Sequence, residues 1–416
     1  MEGRQMHRNL GAAKSAKQDE FYTQYGDIEK EVEAYLDLDP DAFRGKVVYC
    51  NCDDPFESNF FKYFAAYFNT LGLKRLVTTS YDGSPIAGQG TLFPEYDEGN
   101  GERQKPKALA VMLDHVKDED GDGATNLGDV ELFLKRNKAA RIALKGNEQY
   151  AGGDFRSPEC VALLREADIV VTNPPFSLFR QYVAQLVEHT KKFLIIGNTN
   201  AITYKEIFPL VEDNRMWLGC TNFNVGMYFE VPAEWERFHH IDQETGTKFA
   251  RVSTSCWYTN LDHGRRHQPL QLMTMAENLK FSKNLRGKTS YDRYDNYDAI
   301  EVGTYKAIPS DYDGVMGVPI TFLDKYDPDQ FEILGATQRR CHDLVPDTRK
   351  YDDYWEVRQD GSRTGSSGGK TNENANLLGN DGRKNYFINR EGRIIQSAYQ
   401  RLFIRHRTRS ARGATK

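Results

Sequence analysis

Residues 167–177 read Ala-Asp-Ile-Val-Val-Thr-Asn-Pro-Pro-Phe-Ser, and no other stretch of the chain restricts its fold as tightly. Ile169, Val170 and Val171 make a short β-branched apolar run, the pattern of a strand buried on both faces. Pro174 and Pro175 then fix φ and remove two backbone donors, so the chain must turn at Asn173. From Leu178 to Val187 apolar residues recur at helical spacing. Strand, stiff elbow and helix form one unit of an open α/β sheet. Asn173 and Phe176 therefore belong at the carboxyl end of a strand, where such sheets build their sites.

The same elbow suits one reaction, methylation of an exocyclic amino group on a base. Such a nitrogen is a poor nucleophile because its lone pair is delocalised into the ring. Two fixed acceptors on its N–H groups favour a pyramidal nitrogen with the lone pair facing the methyl donor. The Asn173 side-chain oxygen and the Pro174 carbonyl would be those acceptors, with Pro175 stiffening the turn and Phe176 stacking on the base. Catalysis would then be positioning plus electrostatics, with no metal and no covalent intermediate. The competing reading is a Pro-Pro turn capped by Asn173.

A length of 416 residues allows two or three domains with a large core. Net charge is -5, so any contact with nucleic acid must come from local basic patches. Of six cysteines only Cys50 and Cys52 are close, without the spacing or second ligand pair of a zinc site. They read as strand packing in a reduced, cytoplasmic protein. No apolar run approaches membrane-spanning length, and residues 1–18 read as a polar, basic, mobile arm.

Ahead of the elbow, Lys46–Cys50 reads as a first strand, then the turn Asn51-Cys52-Asp53-Asp54-Pro55 and an aromatic helix through Phe68. No glycine stands in this turn; Ser58 and Asn59 occupy the places where glycines would be expected. Asp53 or Asp54 would bind an ammonium group. Arg75–Tyr81 reads as the second strand, with Tyr81 or Asp82 at its end as the ribose-binding residue. An insertion occupies about 83–130, Gly-, Pro- and acid-rich from Gly83 to about Gln104 and with a strand expected at Ala108–Leu113. Within it Asp118-Glu-Asp-Gly-Asp-Gly123 begins like a calcium loop, but position twelve is Asp129 where Glu is preferred, and no partner loop exists. An acidic surface loop is the better reading. Asp154 and Phe155, just before a helix from Pro158 to Glu166, would bind a cofactor adenine, the carboxylate taking its amino group and Phe155 stacking.

Beyond the elbow, Phe193–Asn198 is a buried strand, Tyr204–Val211 a helix, and Arg251–Tyr258 one alternating strand of a hairpin. Parallel units followed by a late antiparallel pair predict a seven-stranded, mostly parallel sheet. Near Asp262 the character changes. Arg265, Arg266, Lys280, Lys283, Arg286 and Arg293 are interleaved with Phe281, Tyr291, Tyr294 and Tyr297, as on a phosphate-contacting surface. A solvated face with core tyrosines is the alternative. Residues 359–383 read as a flexible loop, and Arg401 and Arg405 lie in a basic C-terminal end that reads as a DNA-facing edge.

Together these pieces resemble the EcoRI-type adenine-specific DNA methyltransferases. The resemblance rests on Phe21-Tyr-Thr-Gln-Tyr25, Cys50-Asn-Cys-Asp-Asp-Pro55 with Ser58-Asn-Phe60, and Asn173-Pro-Pro-Phe-Ser177. Phe193–Asn198, Trp257–Asp262, Tyr291–Ile300 and Gly317–Leu323 look similar too. The resemblance implies a Rossmann-like class I fold, S-adenosylmethionine as methyl donor and adenine N6 in duplex DNA as acceptor. Tyr22 and Thr23, beside Phe21, would touch the methionine portion; Asn51, Asp53 and Pro55 would line the cofactor turn. Asp154 and Phe155 would hold its adenine, and Asn173, Pro174 and Phe176 the target base. It also implies a catalytic domain over 19–265 and a target-recognition region over 266–416.

The reading is a monomeric methyltransferase that flips adenine from duplex DNA, with a cognate restriction endonuclease as a possible partner. Cytosine N4, RNA or a protein glutamine amide are alternative acceptors. A DNA-binding module without catalysis is the alternative of another class. The recognition sequence is not legible.

Overall fold

The computed structural model describes residues 22–53, 58–81, 108–123, 125–137, 140–231, 235–236, 238–338, 345–380, 382 and 384–407. The chain divides into two units: Met1–Ile207 with Met216–Gly264, and Phe208–Arg215 with Arg265–Lys416.

The first unit is built on a mixed sheet of eight strands: β1 Val47–Cys50, β2 Arg75–Thr79, β3 Leu109–Leu113, β4 Arg141–Ala143, β5 Ile169–Thr172, β6 Lys192–Asn198, β7 Trp217–Leu218 and β8 Ser255–Thr259. Their order across the sheet is β4-β3-β2-β1-β5-β6-β8-β7. Parallel pairing is confined to β2-β1-β5-β6, and the outer strands pair antiparallel. The sheet is therefore one strand larger, and less parallel, than expected. Ser80 N–H donates to the Leu109 carbonyl at 2.9 Å, so the chain enters β3 beside the point where it left β2. A strand entered there runs back antiparallel, because a parallel return needs a crossover to the opposite end.

Four helices matter to the site. In α1, Tyr25–Leu36, Ile28, Glu31, Val32 and Tyr35 form the buried stripe that helical periodicity demands. In α2, Asn59–Ala66, Ser58 is the N-cap and accepts from Phe60 N–H. In α3, Pro158–Glu166, Ser157 caps and proline occupies the first turn, where its missing donor costs nothing. The helix after the elbow is α4, Phe179–Glu188, which buries Phe179, Tyr182, Val183 and Leu186. The main core joins Val48, Cys50, Val171, Leu194 and Ile196 of the sheet to Phe60, Phe61 and Phe64 of α2 and to Trp257.

Two expectations are corrected here. Arg251–Tyr258 is not one strand: Lys248–Val252 pairs with Met227–Val231 in a separate four-stranded sheet, while Ser255–Thr259 is β8. The break serves the end of β6, because the Thr254 carbonyl accepts from Thr199 N–H and its hydroxyl from Asn198 Nδ2. The helix expected over Tyr204–Val211 is only Phe208–Glu212.

The second unit holds a four-stranded sheet (Ala299–Glu301, Val315–Pro319, Arg401–His406, Phe331–Ala336) and a five-stranded antiparallel one. Much of the 359–383 stretch, expected as a loop from its small polar residues, is regular: strands at Arg363–Ser367 and Asn376–Leu378 flank a short 3-10 turn. Ladder partners, not side-chain propensity, make these strands.

Candidate active site

Between β1 and β5 the sheet order reverses direction, which is where open α/β sheets bind ligands. The ladder between them is short, pairing Val48 with Ile169 and Tyr49 with Val170. Beyond it the carboxyl ends of the two strands carry the acidic turn and the Pro-Pro elbow.

The turn is held by hydroxyls. Asn51 is buried, and its Oδ1 accepts from Thr79 Oγ1 at 3.1 Å. Asp53 donates its N–H to the Thr79 carbonyl, and its own carbonyl accepts from Thr78 Oγ1 at 2.5 Å. Its carboxylate accepts from Ser58 Oγ at 2.7 Å and from Thr172 Oγ1 at 2.5 Å. Cys52 takes φ +67°, the left-handed conformation that glycine adopts without strain. The bend that a glycine would supply is thus present with a cysteine in it, while Cys50 is buried in β1 and burial pushes its thiol up. Asn59 Nδ2 donates to the Thr23 carbonyl at 2.7 Å, tying the start of α2 to the segment Tyr22–Thr23. Tyr22 pairs with Glu230 in that short strand; its side chain, with Phe21, Asp54, Pro55 and Asp82, lies outside the described residues.

At the elbow Pro174 is buried, and Asn173, Pro175 and Phe176 are half-buried. Phe176 packs partly against the main core. Leu178 N–H donates to the Pro175 carbonyl at 2.9 Å, starting the single turn Phe176–Leu178 that leads into α4. Thr172 precedes the elbow; its hydroxyl meets the Asn51 carbonyl as well as Asp53.

The third element is the turn at Gly153-Asp154-Phe155. Gly153 has φ +78°, and a Cβ there would lie 1.9 Å from the Ser80 carbonyl oxygen, so this turn touches the end of β2 at Ser80 and Tyr81. Asp154 is buried and bound by Arg156, whose Nε and Nη2 donate to its two oxygens at 2.9 and 2.7 Å. Phe155 is 2 % exposed, with Tyr182 edge-on at 5.0 Å, so the ring expected to stack on a cofactor adenine is turned into the core. Helix α4 grips this turn: Gln181 accepts from Arg156, and Gln185 donates to the Phe155 carbonyl.

Thr23 Oγ1, Asn51 Nδ2 and the Tyr182 hydroxyl are buried without hydrogen-bond partners among the described residues. Such atoms are costly unless something polar meets them, and they fit a polar cofactor bound over the turn. Sequence reasoning missed Thr172, Thr78, Thr79 and Arg156. The available signal for Thr172 was a hydroxyl closing an otherwise apolar buried strand.

Asp118, Asp120 and Asp129 do converge, their carboxylates within 4.8 Å of one another. Those oxygens accept the loop's own amides: Asp129 from Glu119, Asp120 and Asn126, and Asp118 from Gly121, Asp122 and Gly123. Asp129 also completes the capping box of the helix Leu127–Arg136.

In the second unit the basic residues separate into two groups. Arg401 is gripped by Glu301, both side chains 11 % exposed, and Arg266 is buried and donates to Asn214. Arg265 pairs with Asp324, Arg293 with Asp298 and Arg405 with Glu332. Lys280, Lys283 and Arg286 are exposed and have no carboxylate partner among the described residues. Phe281, 63 % exposed, stands among them with Lys280 Nζ 5.0 Å from its ring centre. Tyr291, Tyr294 and Tyr297 are buried, so the interleaved tyrosines belong to the core.

A family model described as adenine-specific methyltransferase EcoRI matches residues 9–407. The Type II methyltransferase M.EcoRI of Escherichia coli is 42 % identical over 334 residues, covering 78 % of this chain and 88 % of the relative. M.MpnI of Mycoplasma pneumoniae is 35 % identical (78 % of this chain, 84 % of the relative), and M.MgeORF184P of Mycoplasma genitalium 34 % (80 % and 86 %). No solved structure matches.

Proposed function

The chain belongs to the EcoRI family of adenine-specific methyltransferases, and from that premise we propose that it methylates N6 of an adenine flipped out of duplex DNA, with S-adenosylmethionine as donor. Membership sets aside the cytosine N4 and glutamine acceptors and the module without catalysis. The observation that carries the proposal is the elbow at the carboxyl end of β5, joined through Thr172 to the turn after β1. Flipping follows from reach, since an amino group inside a stacked base pair cannot enter a site recessed at strand ends.

Bound over the turn, S-adenosylmethionine supplies an electrophilic methyl group on a sulfonium. Asn51, Asp53, Ser58, Asn59 and Thr23 would line its binding place, with Tyr81 and Asp154 toward the ribose and adenine. Asn173 Oδ1 and the Pro174 carbonyl accept the two N–H bonds of the adenine amino group and turn its lone pair toward the methyl carbon. The half-buried face of Phe176 holds the base. Lys280, Lys283 and Arg286 contact phosphates. The sheet order β3-β2-β1-β5-β6-β8-β7 fits a Rossmann-like methyltransferase core with one added edge strand.

Asn173→Ala is expected to abolish methyl transfer to duplex DNA while calorimetric binding of S-adenosylmethionine persists. Full transfer by that variant would refute the role given to Asn173.

A further inference from the structure

We infer that the Thr172 hydroxyl is the positioning group that fixes the distance between the donor-binding turn and the acceptor-binding elbow. The inference rests on the methyl-transfer reading above and adds to it a residue that touches neither reactant.

Backbone pairing of β1 and β5 stops at Tyr49 and Val170. In that register Asn51 stands opposite Thr172, at the level where the strands splay toward the site. Between them the link is a side chain: Thr172 Oγ1 lies against the Asn51 carbonyl and 2.5 Å from Asp53 Oδ2. The group is fully buried. One hydroxyl has one proton, so it donates to one oxygen at a time while the other stays within reach. With either acceptor, the last residue of the strand is hydrogen-bonded to the turn.

The turn does not depend on this link alone. Asp53 keeps Ser58 on its carboxylate, Thr78 on its carbonyl and Thr79 on its N–H. Asn51 keeps Thr79 on its side chain. On the other side, Thr172 is followed directly by Asn173, and the two prolines after it pass any shift of that residue along a stiff chain. Removing the hydroxyl should therefore leave the cofactor turn in place and let the elbow drift. In-line transfer is sensitive to such drift, an error of about 1 Å costing on the order of 100-fold.

The test compares Thr172→Val, nearly equal in shape without the hydroxyl, with Thr172→Ser, which keeps it. For the full chain, single-turnover methyl transfer to adenine in duplex DNA is measured beside the calorimetric Kd for S-adenosylmethionine and the thermal midpoint. The valine variant is expected to lose about 10- to 100-fold in transfer rate, with Kd held within about threefold. Serine is expected to restore most of the rate. A valine variant as fast as wild type, or a serine variant as slow as valine, would overturn the inference. So would a rate loss matched by an equal loss of cofactor affinity. Should valine fail to fold, Thr172→Ala against Thr172→Ser makes the same comparison. A wild-type chain that binds S-adenosylmethionine but leaves adenine unmethylated would overturn the proposed function itself, and the two failures are thus told apart.

Discussion

Glu31 is a fully buried carboxylate with four donors around it: Tyr35 hydroxyl, the N–H groups of Cys220 and Thr221, and the Thr221 hydroxyl, all at 2.6–2.9 Å. Burial pushes its carboxyl up, and the bonds from Thr221, Cys220 and Tyr35 pull the other way without cancelling that push. A raised value in the folded state means that the native protein holds the proton more tightly than the unfolded chain. The associated stability is complete below the ordinary glutamate range and is lost as pH rises through the raised value. Thermal midpoints of the wild type should fall across that window, and Glu31→Gln should lack this component. The amide would also turn an N–H2 toward backbone donors, so the variant should be less stable by about 1–3 kcal/mol at low pH. Parallel curves of midpoint against pH for the two proteins would refute the assignment. Tyr35 stands one helical turn away, but three of the four donors belong to Cys220 and Thr221, 189 and 190 positions along the chain, and nothing around Glu31 announces them. Asn173 and Phe176 were legible, since their positions follow from the local rule that two prolines end a strand. Cys52 was not legible: the sequence reads it with Cys50 as strand packing, whereas the strand ends at Cys50 and Cys52 takes a left-handed φ of +67° in the turn.

At the scale of elements, the strands β1, β2, β5 and β6 and the helices α2 to α4 are all readable from the sequence. What joins them is not. Gly153 looks like an ordinary loop glycine, yet it combines positive φ with a backbone approach to Ser80 that leaves no room for a Cβ. Gly153→Ala should therefore separate the Asp154–Phe155 turn from the end of β2. The expected cost is at least about 1 kcal/mol of stability, together with weaker S-adenosylmethionine binding by calorimetry. Unchanged stability and affinity would show that the contact is dispensable. The eighth strand, the break at Ser253–Thr254 and the strands within 359–383 escaped sequence reading for one reason. Each depends on a ladder partner distant in sequence, and strand propensity records that environment more than the residue itself.

For the whole molecule, a net charge of -5 leaves little long-range attraction to nucleic acid, so binding must rest on particular cations. The second unit sorts them: Arg401 serves Glu301 and Tyr294 within a nearly buried network, while Lys283 has solvent around it. Lys283→Ala should weaken DNA binding evenly across sequences and reduce the slope of log affinity against log salt by about 1, with the fold intact. Arg401→Ala should instead unfold more easily, by about 3 kcal/mol, because it leaves the Glu301 carboxylate buried and unpaired. An altered salt slope for Arg401→Ala at unchanged stability would reverse these assignments. Composition and pattern alone determined that the chain is an α/β protein with a Pro-Pro elbow at a strand end. Those are local properties, set by φ restriction, missing donors and apolar period. Tertiary structure decided which cations stay free, which carboxylates are held, and how the elbow is joined to the turn after β1. Charge pairing and burial depend on residues brought together from far along the chain, and no local rule carries that information.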